Sequence, residues 1–444
     1  MTKKNAFNRR SFLAGTTAAG VFTVIPRAVL GTADQPSANN RLNIASVGVG
    51  GMGSGDIRQV PTENIVAICD VDANHAANSA KNFPQAKVYS DFRVMFDQQK
   101  DIDAVMVATP DHNHAVVTMR ALKLGKHVFC QKPLAHSVHE ALEMAKAAKE
   151  AKVATQMGNQ GQASEEARLT CEYIWSGAIG PVREIHSWSN RRPDISQRGV
   201  PRPSEQPAVP AGLDWNLWLG PAAERPYHPC YHPFAWRGWW DFGTGVLGDI
   251  GCHNLSAAFK ALKLGWPTSV EACSTHWSAV PEITRETAPL ASIVTYRFAA
   301  DGDRPEVTLR WYDGGMMPPL PDCVEPTRKL FANDGTLIVG DKGMLLGHRL
   351  MPESRLQEIG KPPQKLPRSP GHYREWIDAC KGGPPAGSNF VDHAGHLAAV
   401  VLMGNIAIRT QDKLIWDAEK LQFRDNDAAN ALLNPPYRQG WSLT

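Results

Sequence analysis

The chain has 444 residues, of which 43% are hydrophobic and 20% are charged, a composition typical of a soluble globular protein with two or more domains. Its formal net charge of +3 originates in the N-terminal segment, because residues 1–33 hold five cationic side chains and no acid. Without that segment the net charge is −2, which removes the electrostatic argument for nucleic acid or an anionic membrane as a partner.

The first 33 residues have the features of an export signal. Lys3 and Lys4 precede residues 8–13 (NRRSFL), which are similar to the twin-arginine signal, and residues 12–25 are uncharged and rich in Ala, Gly and Thr. That hydrophobic region is too short and too polar for a membrane span, and cleavage is expected after residues 31–33. The sequence predicts an exported, periplasmic protein without a membrane anchor; a disordered basic N-terminus is the alternative.

A glycine motif directly follows the first predicted strand, residues 42–47. The sequence Gly48-Val49-Gly50-Gly51-Met52-Gly53 reads G-x-G-x-x-G, and a helix is expected from Ser54. The three glycines permit a tight turn, backbone approach to a pyrophosphate, and close packing of helix on strand. A glycine-rich structural turn is the alternative interpretation.

An acidic residue ends the second predicted strand, residues 65–69. Asp70 is placed to accept hydrogen bonds from ribose hydroxyls and to repel a 2′-phosphate, with Asp72 as a competitor for this role. The predicted cofactor is therefore NAD, in preference to NADP.

Strand and helix patterns alternate along the remainder of the first domain. Residues 104–108, 127–130 and 153–157 read as strands, and Ser137 and Glu140 form a capping box for a helix that reaches residue 151. Repeated strand–helix units predict an α/β fold with a doubly wound parallel sheet over residues 41–160.

The pattern changes after Gly161. A helix at 165–176 and a strand at 182–188 lead into a stretch rich in Pro, Arg and Trp, and hairpin-like strands follow. These features predict a second α/β domain over residues 161–420 with a mostly antiparallel open sheet, and a tail at 421–444. The predicted later strands are 269–276, 292–298, 307–312, 336–339 and 344–346, and the closing helices are 373–381 and 394–410.

Four motifs in this order give the chain a family resemblance. The glycine motif is followed by residues 108–114 (ATPDHNH), 131–133 (QKP) and 248–253 (GDIGCH), and residues 214–221 (DWNLWLGP) add an aromatic segment. Together they resemble the glucose–fructose oxidoreductase/inositol dehydrogenase (Gfo/Idh/MocA) family over residues 41–420, and in particular its exported branch with a twin-arginine signal.

The resemblance implies a Rossmann domain, a second domain whose open sheet serves oligomerisation as a dimer or tetramer, and sugar or cyclitol substrates. It also implies catalytic roles for Lys132, Asp249 and His253. In hydride transfer from a carbinol, His253 would take the hydroxyl proton, Lys132 would polarise the oxygen, and Asp249 would orient the substrate or the imidazole. On spacing alone, Asp249 could instead be a helix N-cap and His253 a surface residue. The expected cofactor-binding residues are Gly48, Gly50, Gly51, Met52, Gly53, Asp70, Thr109, Pro110, His114, Gln131 and Lys132.

Tryptophans point to the class of substrate. Flat indoles stack on the C–H faces of sugar rings, and five of them lie between residues 215 and 240. We expect a carbohydrate or polyol substrate at a pocket wall made by this region, which contains Trp215, Trp218, Trp236, Trp239 and Trp240. The predicted substrate residues are Gln160, Trp236, Trp239 and Trp240.

Two further patterns bear on the chemistry. The family usually reads Glu-Lys-Pro where this chain has Gln131, so loss of the adjacent carboxylate is expected to favour neutral Lys132. His112 and His114 lack an evident third ligand, so we expect them to line the pocket and predict no metal site.

The predicted function is NAD(H)-dependent oxidation or reduction of a sugar, sugar derivative or cyclitol. Free nicotinamide cofactor is scarce outside the cytoplasm, so a cofactor loaded before export would be retained and recycled within the site. The alternatives are an NAD-dependent glycoside-cleaving enzyme that oxidises, eliminates and reduces, and a non-catalytic sugar-binding relative.

Overall fold

The computed structural model describes residues 40–192, 196–275, 280–322 and 333–443. The predicted export signal at residues 1–33 lies outside these ranges. The described elements form two sheets, one of six strands and one of nine.

The first sheet confirms the predicted doubly wound Rossmann fold. All neighbouring strand pairs are parallel, in the order β3-β2-β1-β4-β5-β6. The central strand β4 is buried at every position, because helices cover both faces of the sheet. The strands are β1 Asn43–Val47, β2 Asn64–Cys69, β3 Lys87–Tyr89, β4 Ala104–Val107, β5 His127–Gln131 and β6 Thr155–Gly158.

The helices of this domain begin at identifiable caps. The helix α1 begins at Gly51, three residues before the predicted start at Ser54, because Gly50 is its extended N-cap. Asp72 accepts a hydrogen bond from the N–H of Asn74 and so caps α2. The predicted capping box is confirmed, with Ser137 and Glu140 exchanging bonds at the start of α5. These helices are α1 Gly51–Asp56, α2 Ala73–Ala80, α3 Phe92–Gln98, α4 Asp111–Lys123 and α5 Val138–Ala151.

The second sheet is mostly antiparallel, as predicted, in the order β13-β12-β11-β7-β10-β9-β8-β14-β15. Its β7–β10 pair is parallel. The strands are β7 Val182–Ser189, β8 Ser269–Ser274, β9 Ser292–Phe298, β10 Val307–Asp313, β11 Asp334–Gly340, β12 Gly343–Leu346, β13 Arg349–Met351, β14 Leu414–Asp417 and β15 Gln422–Phe423.

One helix of the second domain positions two predicted catalytic residues. The N-cap of α8 is Thr244, so Asp249 lies in the middle of the helix and is not itself an N-cap. A spacing of four places Asp249 and His253 on the same side of α8. The helices of this domain are α6 Glu165–Trp175, α7 Trp215–Leu219, α8 Gly245–Asn254, α9 Ser256–Leu262, α10 Pro281–Glu286, α11 Glu353–Ile359, α12 His372–Cys380, α13 Gly395–Thr410 and α14 Asp427–Leu433.

The C-terminal part of the chain contributes to both cores. Trp376 and Ile377 of α12 pack with Phe129 of β5 in a cluster under the first sheet. The residues predicted as a tail carry β15 and α14, and Phe423 and Leu433 belong to the main core. The second domain therefore continues past residue 420.

One apolar stretch, Phe390–Thr410, meets the length and hydropathy of a membrane span among the described helices, but 78% of its most apolar window is buried inside the protein. It comprises a single π-helical turn, Phe390–Ala394, followed by α13. The helix α13 packs against α5, α8 and β8, which is the position of a core helix.

Candidate active site

A cavity of about 530 Å³ lies at the carboxyl ends of β1, β2, β4 and β5. Ligands of open α/β sheets bind at this edge. One wall comes from the first domain and the facing wall from residues 217–249 of the second. Its lining includes Gly48, Gly50, Gly51, Met52, Asp70, His75, Thr109, Pro110, Asp111, Gln131, Lys132, Trp218, His232, Phe234, Trp236, Arg237 and Asp249.

The glycine motif has the geometry of a diphosphate cradle. Gly48 has a φ of +80°, and a Cβ there would lie 2.6 Å from the carbonyl oxygen of Ala108. A Cβ on Gly53 would lie 1.9 Å from the carbonyl oxygen of Gly48, so this glycine, which is outside the cavity lining, lets α1 pack closely on the sheet. No side chain caps α1, which leaves its first N–H groups available to phosphate oxygens. The motif therefore fits the predicted dinucleotide.

Asp70 lines the cavity, whereas its competitor Asp72 does not. The Asp70 Oδ2 atom accepts a hydrogen bond of 2.8 Å from the N–H of Val49, within the glycine motif. Asp72 instead caps α2 and lies 3.7 Å from the Nε2 atom of His232. Of the two acids, Asp70 is the one placed to contact a ribose.

Lys132 and Asp249 meet across the cavity in an ion pair, with Lys132 Nζ donating to Asp249 Oδ1. The Arg237 Nε atom lies 3.8 Å from the same carboxylate oxygen. Burial acts to raise the pKa of Asp249, but the charges of Lys132 and Arg237 outweigh it and lower the pKa to about 2. Asp249 is therefore a permanent anion that holds Lys132 in place.

Asp111, at the start of α4, is a third carboxyl group on the lining of the same cavity, after Asp70 and Asp249. Its Oδ2 atom accepts a hydrogen bond of 2.8 Å from the hydroxyl of Thr244. Burial, and then the negative charge of Asp249, raise the pKa of Asp111 to about 7. The end of the cavity next to Lys132 thus has Asp249, which is ionised at physiological pH, and Asp111, which can hold a proton at neutral pH.

His253 lies near the ion pair but not on the cavity lining. Burial, together with the positive charge of Lys132, lowers the pKa of its imidazole to about 4. The ring is therefore neutral at physiological pH and has a free lone pair, but a pKa this low makes it a weak base.

The five tryptophans of the 215–240 region divide into two groups. Trp218 and Trp236 line the cavity. Trp215 stacks on Trp218 at 4.6 Å and donates to a backbone carbonyl behind it. The predicted substrate residues Trp239 and Trp240 are 1% and 5% exposed and lie outside the lining, because their indole N–H groups bond to the carbonyls of Cys230 and Thr284 inside the fold.

Family models account for most of the chain. The model described as the oxidoreductase family, NAD-binding Rossmann fold, matches residues 42–159. The model described as the oxidoreductase family, C-terminal alpha/beta domain, matches residues 200–277 and 334–443. The chain belongs to the Gfo/Idh/MocA oxidoreductase family. Its first domain is accordingly an NAD-binding Rossmann domain.

Curated relatives of this Gfo/Idh/MocA protein match part of it. The levoglucosan dehydrogenase of Pseudarthrobacter phenanthrenivorans is 27% identical over 199 residues, which are 45% of this chain and 42% of the relative. The inositol 2-dehydrogenase of Rubrobacter xylanophilus is 30% identical over 162 residues, or 35% and 46% of the two chains. The 2,7-anhydro-N-acetylneuraminate hydratase of Escherichia coli is 30% identical over 160 residues, or 35% and 42%. The matches thus span less than half of each relative.

Solved structures share the fold over most of the length of this chain. The WlbA dehydrogenase of Bordetella pertussis, in complex with NADH and UDP-GlcNAcA, has a TM-score of 0.58 at 17% identity and covers 85% of this chain and 99% of its own. A levoglucosan dehydrogenase in complex with NADH and L-sorbose has a TM-score of 0.54 at 19% identity, with 86% and 98% covered.

Gln131 marks where this chain departs from the Gfo/Idh/MocA pattern. Its Nε2 atom donates a hydrogen bond of 2.8 Å to Asp56 Oδ2, and the hydroxyl of Tyr373 donates to Asp56 Oδ1 at 2.6 Å. A carboxylate therefore remains next to position 131, supplied by α1. Lys132 also has a carboxylate partner, because its Nζ donates to Asp249 Oδ1, and the expected effect of Gln131 on the charge of Lys132 stays a prediction.

Three more predicted positions lie behind the cavity wall. His112 and His114 are buried and line no part of the cavity. The ring nitrogens of His114 lie 2.8 Å from the carbonyl oxygens of Thr109 and Pro133, so this ring links two cofactor-facing loops. Gln160 donates to the hydroxyl of Tyr373 and also lies outside the lining.

Sequence reasoning missed several lining residues. The guanidinium carbon of Arg237 lies 4.1 Å from the ring centroid of Phe234 and 4.2 Å from that of Trp236. The available signal was the sequence Phe-Ala-Trp-Arg at 234–237, in which one arginine follows two aromatic residues. Asp72, His75 and His232 also form a group, with one possible metal-ligand atom from each within 4.8 Å of the others. No such group was predicted.

Proposed function

We propose that the protein is an exported NAD(H)-dependent oxidoreductase that acts on a sugar, a sugar derivative or a cyclitol and retains its cofactor through the catalytic cycle. One observation carries the proposal. The glycine motif and Asp70 share a single cavity with the Lys132–Asp249 ion pair and two indole rings. A dinucleotide and a small polyol can therefore meet in one cavity.

The residues of the cavity divide the chemistry between them. NAD, when bound, would accept the hydride from a carbinol and, as NADH, return it to a second keto substrate or to the oxidised intermediate, so that the retained cofactor is regenerated. Lys132 has donors beyond the one directed at Asp249, so it can polarise the substrate oxygen and stabilise the developing oxyanion. Asp249 fixes the position of the ammonium, and neutral His253 is the proposed acceptor of the hydroxyl proton.

Aromatic and cationic side chains support a polyol substrate. Trp236 and Trp218 present apolar surface to the cavity, which suits the C–H face of a sugar ring. Arg237, held between Phe234 and Trp236, can donate to ring hydroxyls from the same side. Levoglucosan and inositol dehydrogenases among the relatives agree with this substrate class.

Glycoside cleavage through transient oxidation is the second candidate. It requires an acid for the departing group besides the redox residues, and Asp111 is a carboxyl group whose pKa of about 7 lets it hold a proton in the cavity. A relative that is a hydratase indicates that the family includes addition–elimination chemistry.

Export by the twin-arginine route to the periplasm is part of the proposal. It is supported by residues 8–13 and by the uncharged region that follows. A host that lacks the twin-arginine translocase should retain the precursor in its cytoplasm. Replacement of Arg9 and Arg10 by Lys should have the same effect, and periplasmic accumulation of either would contradict this route.

The catalytic proposal is tested by mixing the purified protein with a panel of free sugars, cyclitols and glycosides. Reduction of bound cofactor is followed by near-ultraviolet absorbance, and products are identified by mass spectrometry. A keto-sugar with reduced cofactor supports net redox chemistry, whereas released aglycone with unchanged cofactor supports cleavage. Absence of both reactions across the panel would contradict an enzymatic role for these sugar classes.

A further inference from the structure

Two histidines from different domains meet at the glycine-motif end of the cavity. His75 is on α2 of the first domain and His232 is in the loop that precedes Phe234 of the second, and their ring centroids are 5.8 Å apart. Both line the cavity together with Gly50. The proposed hydride chemistry uses neither ring.

The position of His75 relates this pair to the phosphates. A Cβ added to Gly50 would lie 2.5 Å from His75 Nδ1, so the ring lies directly against the second glycine of the motif. That glycine is where the backbone approaches the pyrophosphate of a dinucleotide. An imidazole here is close enough to donate to a phosphate or ribose oxygen. The Asp70 carboxylate, whose Oδ2 lies 3.8 Å from His75 Nδ1, raises the pKa of His75 and so favours its cationic, donating form.

His232 belongs to a segment anchored to the first domain by other contacts. Asp72 pairs with Leu213 in an isolated antiparallel bridge, and the N–H of Asp214 donates to the carbonyl of Val71 at 2.9 Å. His232 Nε2 then lies 3.7 Å from Asp72 Oδ2. The second domain thus contacts the loop after β2 at residues 213–214 and again at His232.

We infer that His232 is a dinucleotide-binding residue supplied by the second domain and that, with His75, it holds the ribose–pyrophosphate portion of NAD in the cavity. Release of the dinucleotide then requires the 228–237 loop to separate from Asp72 and His75. The inference rests on the proposed function, since it explains how an exported enzyme keeps its cofactor. The same cluster has the composition of a metal site, and metal occupancy is the competing outcome.

Dissociation of NADH from the purified full-length protein tests the inference. The rate is measured by loss of energy transfer from tryptophan to NADH after an excess of NAD is added. We expect His232→Ala and His75→Ala each to release NADH about tenfold faster or more, the effect of losing one hydrogen bond to a charged group.

The matched control is His228→Ala, in the same loop. The His228 ring accepts from the N–H of Cys230 and lies outside the cavity lining, so its removal perturbs the loop without removing a cavity donor. NADH release within about twofold of wild type is expected for this control. Thermal unfolding of all three variants without cofactor checks that each is folded.

The release rates and the zinc content of the protein each have a result that would overturn the inference. Unchanged release in both folded His232→Ala and His75→Ala, or equally fast release in His228→Ala, would overturn it. One zinc per chain in the purified protein, lost in His232→Ala, would also overturn it in favour of a metal site. If the wild-type protein binds no dinucleotide, the proposed function is overturned as well. If the wild-type protein binds NADH tightly and the two histidine variants release it at the wild-type rate, only the inference is overturned.

Discussion

The ammonium of Lys132 donates to the carboxylate of Asp249 from a position 117 residues earlier in the chain. Lys132 follows the end of β5 and Asp249 lies in the middle of α8, so the pair exists only when both domains are folded together. The cation proposed to act on the substrate is thereby held by a residue of the second domain, while the glycine motif lies in the first.

Lys132→Met should lower turnover by about a hundred- to ten-thousand-fold, because it removes the ammonium and keeps the aliphatic stem. NAD(H) binding should remain, since the glycine motif and Asp70 are untouched. Turnover and bound dinucleotide are measured on the same preparation. Near-normal turnover in Lys132→Met would exclude the assigned role, and His253→Ala, expected to lose activity on the same order, tests the proton acceptor separately.

Asp111 should make the stability of the protein depend on pH below neutrality. Between its ordinary value near 4 and about 7, the unfolded carboxyl is ionised while the folded one holds a proton. The contribution of Asp111 to the free energy of unfolding therefore falls as the pH rises from about 4 to about 7, and it is constant above pH 7. Asp111→Asn cannot titrate, so its melting temperature relative to wild type should rise from pH 4 to 7. A difference that does not vary with pH would contradict the raised pKa.

Asp70→Asn should weaken the discrimination between NAD and NADP. The amide retains one acceptor oxygen but loses the charge that repels a 2′-phosphate. The ratio of the two dissociation constants, measured by titration, is expected to narrow by about ten- to a hundredfold. Asp72→Asn is the matched control, because Asp72 lies outside the cavity lining, and its ratio should match wild type. Equal effects of both variants would remove the special role of Asp70.

The tryptophans should separate into binding and structural positions. Trp236→Ala is expected to raise the Michaelis constant for the sugar and to leave bound NAD(H) unchanged, because its ring faces the cavity. Trp240→Ala should instead destabilise the fold by about 3–5 kcal/mol, since the ring is buried in the main core. Kinetics and denaturant unfolding distinguish the two. A Trp236 variant with an unchanged Michaelis constant would contradict sugar stacking at this wall.

Structural features that depend on residues close together in the chain could be predicted from the sequence. The glycine motif, Asp70 at the end of β2 and the Ser137–Glu140 capping box each depend on short spacings that a single strand or helix end imposes. Lys132 and Asp249 came from the family resemblance. Their direct contact was not predicted, because it depends on how the two domains pack.

Features formed by distant segments were missed or misplaced. Gln131 meets Asp56 across 75 residues, so the replacement carboxylate could not be seen from the Gln-Lys-Pro sequence. Trp239 and Trp240 lie in the same stretch of sequence as Trp236, so the sequence does not distinguish the three. In the structure, the indole N–H groups of Trp239 and Trp240 donate to backbone carbonyls inside the fold, and these two rings face away from the cavity. Asp72 was considered as a ribose ligand because its role as the N-cap of α2 went unrecognised.

The dinucleotide content of the purified protein tests the central claim most directly. The protein is isolated without added cofactor, denatured, and the released nucleotides are identified and quantified by mass spectrometry against the protein concentration. A retained cofactor in the cavity predicts close to one NAD(H) per chain and little NADP(H). Absence of dinucleotide in the released fraction, together with no binding of added NAD or NADH to the native protein, would contradict the account.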